Sequence, residues 1–219
     1  MQLPGPAYRE YDYILAGGGM AGLSLAYYLS QSSLNSRRIL IIDRGIRREQ
    51  TFCYWSAETS DFDFLAEKSW ESLYFHSSRP SSKQIAIEPY AYHKINSKSW
   101  FSHVEAELSK YPTIHFVTAE IQSIAYQGVG SIVQTSEGEF YASEKIFDSF
   151  SPFPCDNANP KHLKQHFLGW EVECNFNNFD TEAAHLFDFR VAFGKECEFM
   201  YVLPTSPRKA LFEYTFLSG

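Results

Sequence analysis

Three glycines and one acid carry the clearest chemical signal in the sequence. Gly17-x-Gly19-x-x-Gly22 is followed, 21 residues after its last glycine, by Asp43. In such a pattern the first glycine permits a tight turn and the second lets backbone approach a pyrophosphate. The third, here with Ala26 behind it, lets a helix lie close to a strand. Backbone N–H groups at the start of that helix, near Met20 and Ala21, then face phosphate oxygens, and the helix dipole favours their negative charge. A carboxylate at Asp43 accepts hydrogen bonds from ribose hydroxyls and repels a 2′-phosphate. The chemistry is recognition of a dinucleotide.

The flanking runs supply the elements that must position these groups. Residues 11–16 (YDYILA) read as a buried strand, 17–19 as a turn, 20–30 as a helix and 38–43 (RILIID) as a second buried strand. Unbroken apolar runs of this kind suit a parallel sheet covered on both faces. Strand, glycines, helix, strand and acid in this order make a Rossmann-like unit; the competing reading is a Gly-rich turn in an ordinary α/β protein. Further on, 72–76 and 83–87 pair around a Ser/Pro-rich turn, and a helix over 97–110 stops at Tyr111-Pro112. Strands are expected at 114–118, 132–135 and 145–148.

The segment SPFPCDNANP (151–160) marks a boundary. Beyond it, alternating apolar stretches at 167–173, 185–191, 198–203 and 209–216 suit an antiparallel sheet with one face toward a cavity. The expected organisation is α/β: a dinucleotide-binding domain over 1–155 with a small β insertion near 70–95, then the start of a second domain over 156–219. The chain stops at Ser218-Gly219, just after a strand and without a helix to cover the sheet, so that second domain is expected to be incomplete.

Composition narrows the function classes. The net charge is −7 and no basic run exceeds the pairs Arg37-Arg38 and Arg47-Arg48, which excludes an electrostatic nucleic-acid footprint. No apolar stretch approaches the roughly 20 residues that span a bilayer. The first six residues lack the basic and apolar regions of a signal peptide, which places the chain in the cytoplasm. Cys53, Cys155, Cys174 and Cys197 are scattered without a C-x-x-C pair, so free thiols are expected. His76, His93, His103, His115, His162, His166 and His185 lack metal-ligand spacing, and no metal site is expected. Aromatics, 17% of the chain, suffice to line a wide apolar cavity, although composition alone favours a core.

FAD and NAD are separated only by analogy. A nucleotide unit at the N-terminus, followed by a β-rich insertion, is similar to FAD-dependent hydroxylases of the glutathione-reductase type. There an apolar strand ending in Asp and a small residue returns the chain to the flavin, as Lys145-Ile-Phe-Asp148-Ser149 would. A plain strand end followed by a turn is the alternative reading of Asp148.

Three stretches carry a sharper resemblance. Thr51-Phe-Cys-Tyr-Trp55 resembles the T-(W/F)-x-(F/Y)-W segment of bacterial lycopene cyclases. Gln165-His-Phe-Leu-Gly-Trp-Glu-Val172 resembles their Q-x-F-x-G-x-x-(I/V) strand. Phe199-Met-Tyr-Val-Leu-Pro-Thr-Ser-Pro207 and Leu211-Phe-Glu-Tyr-Thr-Phe216 resemble the Y-x-L-P-x-S segment and its acidic partner (L/F)-x-E-(D/E)-T-x-(F/Y). Order and spacing match along nearly the whole chain, which resembles the N-terminal part of that family.

The resemblance implies cyclisation of lycopene to β-ionone end rings. Protonation of a terminal alkene gives a tertiary carbocation, a neighbouring double bond closes the ring, and loss of a proton leaves no net redox change. It also implies reduced FAD, maintained by NAD(P)H, whose charge and electron density favour a cation. Such chemistry needs an acid in an apolar cavity, where burial keeps a carboxyl protonated near pH 7. Glu213 matches the family's first acid and is implied as general acid or cation stabiliser, whereas alternation alone puts a Glu there on a solvent face. Phe52, Tyr54, Trp55, Trp170 and Tyr201 would line the polyene tunnel, a core role being the competing reading. The implied partner is lycopene or a related carotenoid, whose insolubility adds peripheral membrane contact.

The chain departs from the family at three places. Tyr214 stands where the second acid is usual, Asn96 where an Arg is usual, and Phe147-Asp-Ser-Phe lacks the D-A-R-G ending. Relatives run to nearly twice this length, so the chain alone is expected to bind FAD poorly and to cyclise nothing. The alternatives are an FAD-dependent monooxygenase or prenyl-chain reductase of the same fold, and a non-catalytic, truncated flavin-binding fragment.

Overall fold

A computed structural model describes residues 9–46, 49–79, 81–126, 130–151, 163–192, 194 and 197–218. The N-terminal leader, the Arg47-Arg48 pair, Cys155, His162, Gly219 and the boundary segment from 152 to 160 lie outside the described residues. In chain order the elements are β1 (Arg9–Ala16), α1 (Met20–Gln31), β2 (Ile39–Asp43), β3 (Thr51–Ser56), β4 (Ala66–Trp70), β5 (Ser72–His76), β6 (Ser82–Ala86) and β7 (Ala91–Asn96). There follow α2 (Ser97–Leu108), β8 (Ile114–Thr118), β9 (Ile121–Tyr126), β10 (Ser131–Thr135) and β11 (Gly138–Asp148). The last four are β12 (Lys164–Glu173), β13 (Ala184–Asp188), β14 (Cys197–Ser206) and β15 (Lys209–Ser218).

Two compact units result, one from residues 1–49 and 98–154, the other from 50–97 and 155–219. The first is built on a six-stranded sheet of order β8-β2-β1-β11-β10-β9. β8, β2, β1 and β11 run parallel, and β10 and β9 add an antiparallel margin. Ile39, Leu40, Ile41 and Ile42 are almost completely buried, each contributing about 1.5–3 kcal/mol of apolar burial. Their continuous run is what two covered faces require. One face joins Ile14, Ala16, Leu40, Ile42, Val133 and Phe140 in a cluster. α1 packs on β1 and β2 with Leu23 and Ala26 buried.

The second unit holds a six-stranded sheet of order β12-β15-β14-β13-β5-β6 and a three-stranded sheet of order β3-β7-β4. The sequence predicts an insertion within the nucleotide domain near 70–95 and a second domain beginning at 156. The strands group differently: β5, from the insertion, pairs in parallel with β13 and so extends the later sheet. That sheet is therefore mixed rather than purely antiparallel, with β12, β15, β14 and β13 antiparallel in succession. Strand alternation fixes its two faces. Phe199, Tyr201, Leu203, Leu211, Glu213 and Thr215 share one, since Tyr201 pairs with Glu213 and Leu203 with Leu211. Leu203, Leu211 and Tyr201 pack in one cluster with Trp70, Tyr92 and Cys53 of the three-stranded sheet.

Candidate functional site

The glycine turn between β1 and α1 forms a cradle. Gly17 has φ +126°, a conformation closed to side chains, and a Cβ there would meet Ser149 Oγ at 2.1 Å. A Cβ on Gly22 would lie 2.2 Å from the Gly17 carbonyl oxygen, so only glycine lets the first helical turn close on the strand end. Gly19 caps α1 without a side-chain hydrogen bond, and a Cβ there would meet nothing within 4 Å. The first intrahelical bond runs from Leu23 N–H to Gly19 C=O (3.0 Å), so the N–H groups of Met20, Ala21 and Gly22 precede the helical ladder. The first turn carries no acidic residue to compete for them.

Asp43 ends β2 beside this turn. Its Oδ2 accepts from Gly18 N–H (2.9 Å) and its Oδ1 from Gly45 N–H (2.8 Å). A cavity of about 430 Å³ opens here, with Gly17, Gly19, Asp43, Arg44, Glu120 and Phe150 in its wall. Ser149 also lines it, held by N–H and Oγ donations to the Ala16 carbonyl (3.1 and 2.7 Å). Asp148 stands opposite Ala16 in the β1–β11 register, but its carboxylate turns into its own loop. It accepts from Phe150 N–H (2.8 Å), Ser151 N–H (2.9 Å) and Tyr126 Oη (3.0 Å). Burial pushes its carboxyl up, and these hydrogen bonds outweigh that and hold it below the ordinary value. The sequence carries no local signal for Glu120 or Phe150, and for Arg44 only that of a cation directly after the strand-end acid.

Glu213 lies in the second unit, half-buried on β15. Its neighbours across the sheet are Tyr201 and Gly169, and a Cβ on Gly169 would stand 3.6 Å from Glu213 Oε1. Among the described residues its carboxyl accepts no hydrogen bond. Burial raises its pKa above the ordinary value, and the Lys94 charge opposes that rise in part. Burial likewise raises Tyr201, Tyr92 and the Cys53 thiol, the Glu213 charge adding to each. Two buried groups of this layer, Thr215 Oγ1 and Trp70 Nε1, also lack hydrogen-bond partners among the described residues.

The sequence-predicted tunnel residues do not all converge. Tyr201 shares the Glu213 face, whereas Trp170, paired with Phe212, lies on the opposite face and is 51% exposed. Trp55 packs on Tyr92 (ring centroids 4.6 Å), on the Cys53 side of its sheet. Phe52 and Tyr54 alternate to the far side, where Tyr54 stacks on His93 (5.0 Å) and donates to Asp63 Oδ1 (2.6 Å). The period of two decides this, and residues adjacent on one strand cannot share a wall. The same rule separates Tyr214 from Glu213: the Tyr214 hydroxyl donates to Glu198 Oε2 (2.9 Å) on the opposite face. What does reach Tyr201 is a chain of rings absent from the expected set. Phe199 and Phe187 stand 5.1 and 5.9 Å from it, and Phe189 and Phe75 continue the row.

No described helix is long and apolar enough to cross a membrane. Similar folds occur in tryptophan halogenase from Shewanella frigidimarina (TM-score 0.64, 10% identity, 95% of this chain and 56% of that one). PqsL from Pseudomonas aeruginosa, a probable FAD-dependent monooxygenase, is similar at TM-score 0.64 and 11% identity (95% of this chain, 61% of that one). The halogenase PltM is similar at TM-score 0.61 and 13% identity (94% and 51%). At such identities the likeness is one of fold alone. The chain spans between 51% and 61% of the length of these proteins. No curated protein matches it. The family described as lycopene cyclase protein matches residues 12–219, and the chain belongs to that family.

Proposed function

We propose that the protein cyclises the ends of lycopene to β-ionone rings, with Glu213 as the acid that starts the reaction and FAD held in the first unit. The observation that carries this reading is the Glu213 carboxyl: half-buried, without a hydrogen bond among the described residues, raised by burial and adjoined by the ring row that ends at Tyr201. A carboxyl kept protonated in apolar surroundings can transfer its proton to a terminal alkene. The tertiary cation so formed is attacked by the neighbouring double bond, and loss of a proton completes the ring. One proton enters and one leaves, and no electrons are exchanged. Aromatic faces stabilise a cation by about 0.5–2 kcal/mol each.

The residues of the first unit fit a dinucleotide. Gly17, Gly19 and Gly22 would leave room for a pyrophosphate, the N–H groups of Met20 and Ala21 would bind it, and Asp43 would accept from a ribose. Asp148 would act indirectly by fixing the turn that carries Ser149 and Phe150 to the cavity wall. Reduced FAD, when bound, would supply negative charge and electron density that favour a carbocation, with NAD(P)H as its reductant. The substrate's insolubility calls for peripheral contact with a membrane.

A second reading, an FAD-dependent monooxygenase, is suggested by the fold shared with PqsL, a probable FAD-dependent monooxygenase. Cofactor consumption separates the two. FAD-loaded protein in its naturally expressed form, given lycopene in micelles and limiting NADPH, should form many rings per NADPH oxidised. Equimolar NADPH consumption with oxygen in the product would move the assignment to the monooxygenase, and unchanged lycopene would refute the cyclase.

A further inference from the structure

Lys94 is a cation almost fully removed from water, 2% exposed, on the central strand of the three-stranded sheet. Withdrawing an ammonium from water costs several kcal/mol unless it is partnered. Its ion-pair partner is Glu67 (Nζ–Oε2 2.5 Å), whose side chain is itself 40% exposed. Register shows what else surrounds it. Lys94 stands opposite Cys53 on β3 and Lys68 on β4, and Tyr92 lies two residues before it on the same face of β7. Cys53, Tyr92 and Tyr201 pack against one buried cluster that includes Trp70, Leu203 and Leu211, and Tyr201 is the cross-strand neighbour of Glu213. The remaining charges on that face of β12 and β15 are Glu171, Glu173 and Lys209, of which Lys209 and Glu171 pair at 2.8 Å.

We propose that Lys94 is a positioning residue for the acid: its ammonium, shared between Glu67 and the layer that holds Glu213, is the counter-charge for the carboxylate left by proton transfer. The inference rests on the reading of Glu213 given above. In that step the Glu213 O–H bond breaks, the alkene π pair forms the new C–H bond, and a carboxylate remains. Lys94 makes and breaks no bond. The proton lost when the ring alkene forms balances the one spent. Burial alone would make Glu213 a weaker acid, and a nearby ammonium opposes this in the sense that Lys94 does here. Cys53, Tyr92 and Tyr201, all raised by burial, offer no competing charge in the same range.

The two ends of the ion pair give opposite predictions. The measurement is the Glu213 carboxyl titration, read by infrared difference spectroscopy on the FAD-loaded, naturally expressed protein and assigned by signal loss in Glu213→Gln. Lys94→Met should move the midpoint up by about one pH unit, the effect of removing an opposite charge. It should also slow ring formation and carry the alkaline limb of the pH–rate profile upward, with Lys94→Arg restoring both. Glu67→Gln should move the midpoint down, because the ammonium is then no longer shared. Should Lys94→Met fail to fold, Glu67→Gln at its more exposed position decides. Midpoints that stay put, or that move the same way in both variants, would overturn the proposal. The titration needs no turnover, so opposite shifts without ring formation would sustain the coupling and sink the cyclase reading instead.

Discussion

Two substitutions in the glycine turn should separate folding from cofactor binding. In Gly22→Ala the new methyl carbon would stand 2.2 Å from the Gly17 carbonyl oxygen and 3.3 Å from its carbon, with backbone on both sides of the clash. The start of α1 must retreat by about 1 Å to reach an ordinary contact. Overpacking of that kind costs about 1–3 kcal/mol, and the better helix propensity of alanine returns about 1 kcal/mol, leaving a net loss of about 0–2 kcal/mol. In Gly19→Ala the methyl meets nothing within 4 Å and φ is −71°, so stability should change by less than about 0.5 kcal/mol. The same open space is where a pyrophosphate would approach. Flavin affinity should therefore fall tenfold or more in Gly19→Ala, and also in Gly22→Ala because its helix start is displaced. Urea midpoints report the first quantity and quenching of flavin fluorescence the second. Wild-type affinity in Gly19→Ala, or a loss of stability there as large as in Gly22→Ala, would refute the assignment of the turn.

Asp43→Ala removes the acceptor of Gly18 and Gly45 N–H and should cost about 1–3 kcal/mol in urea unfolding, with weaker flavin binding. Equal affinity in the variant would remove Asp43 from the cofactor site. Asp188 supplies a pH signature. Burial pushes its carboxyl up, but the Arg190 guanidinium (2.8 and 2.6 Å) and the Arg190 N–H outweigh that and hold it below the ordinary 3.8. A depressed folded value means stability that is present above the unfolded value and lost as the pH falls through the folded one. Unfolding midpoints of Asp188→Asn should therefore fall less than wild type below about pH 4. Parallel curves would show that the pair contributes nothing.

The nucleotide half was legible because its signals are local. Residues 11–43 hold apolar runs, glycines and an acid at spacings that need no distant partner, and β1, α1 and β2 follow them within two residues. β11 is legible only at 145–148, since its first half, Gly138–Ser143, buries only Phe140 and Ala142 and gains its place through pairing with β10. The three-stranded sheet was missed because TFCYW, AEKSW and AYHKIN are polar on one side, where His93 bonds Ser56 and Ser69 at 2.8 and 2.7 Å. No one of these segments shows that network by itself. The parallel pairing of β5 with β13 joins residues more than a hundred positions apart, which no local pattern reports. The acid was found by its place in a family segment. Its inward face comes only from register, and its relation to Lys94 from the packing of two separate sheets.

The most direct test is pigment analysis of lycopene-accumulating bacterial cells expressing the naturally expressed protein, with the Glu213→Gln variant alongside. The wild type should convert lycopene to γ- or β-carotene, and the variant should leave it unchanged while still carrying flavin. Rings formed by Glu213→Gln at the wild-type rate, or unchanged lycopene beside a folded, flavin-loaded wild type, would contradict the account.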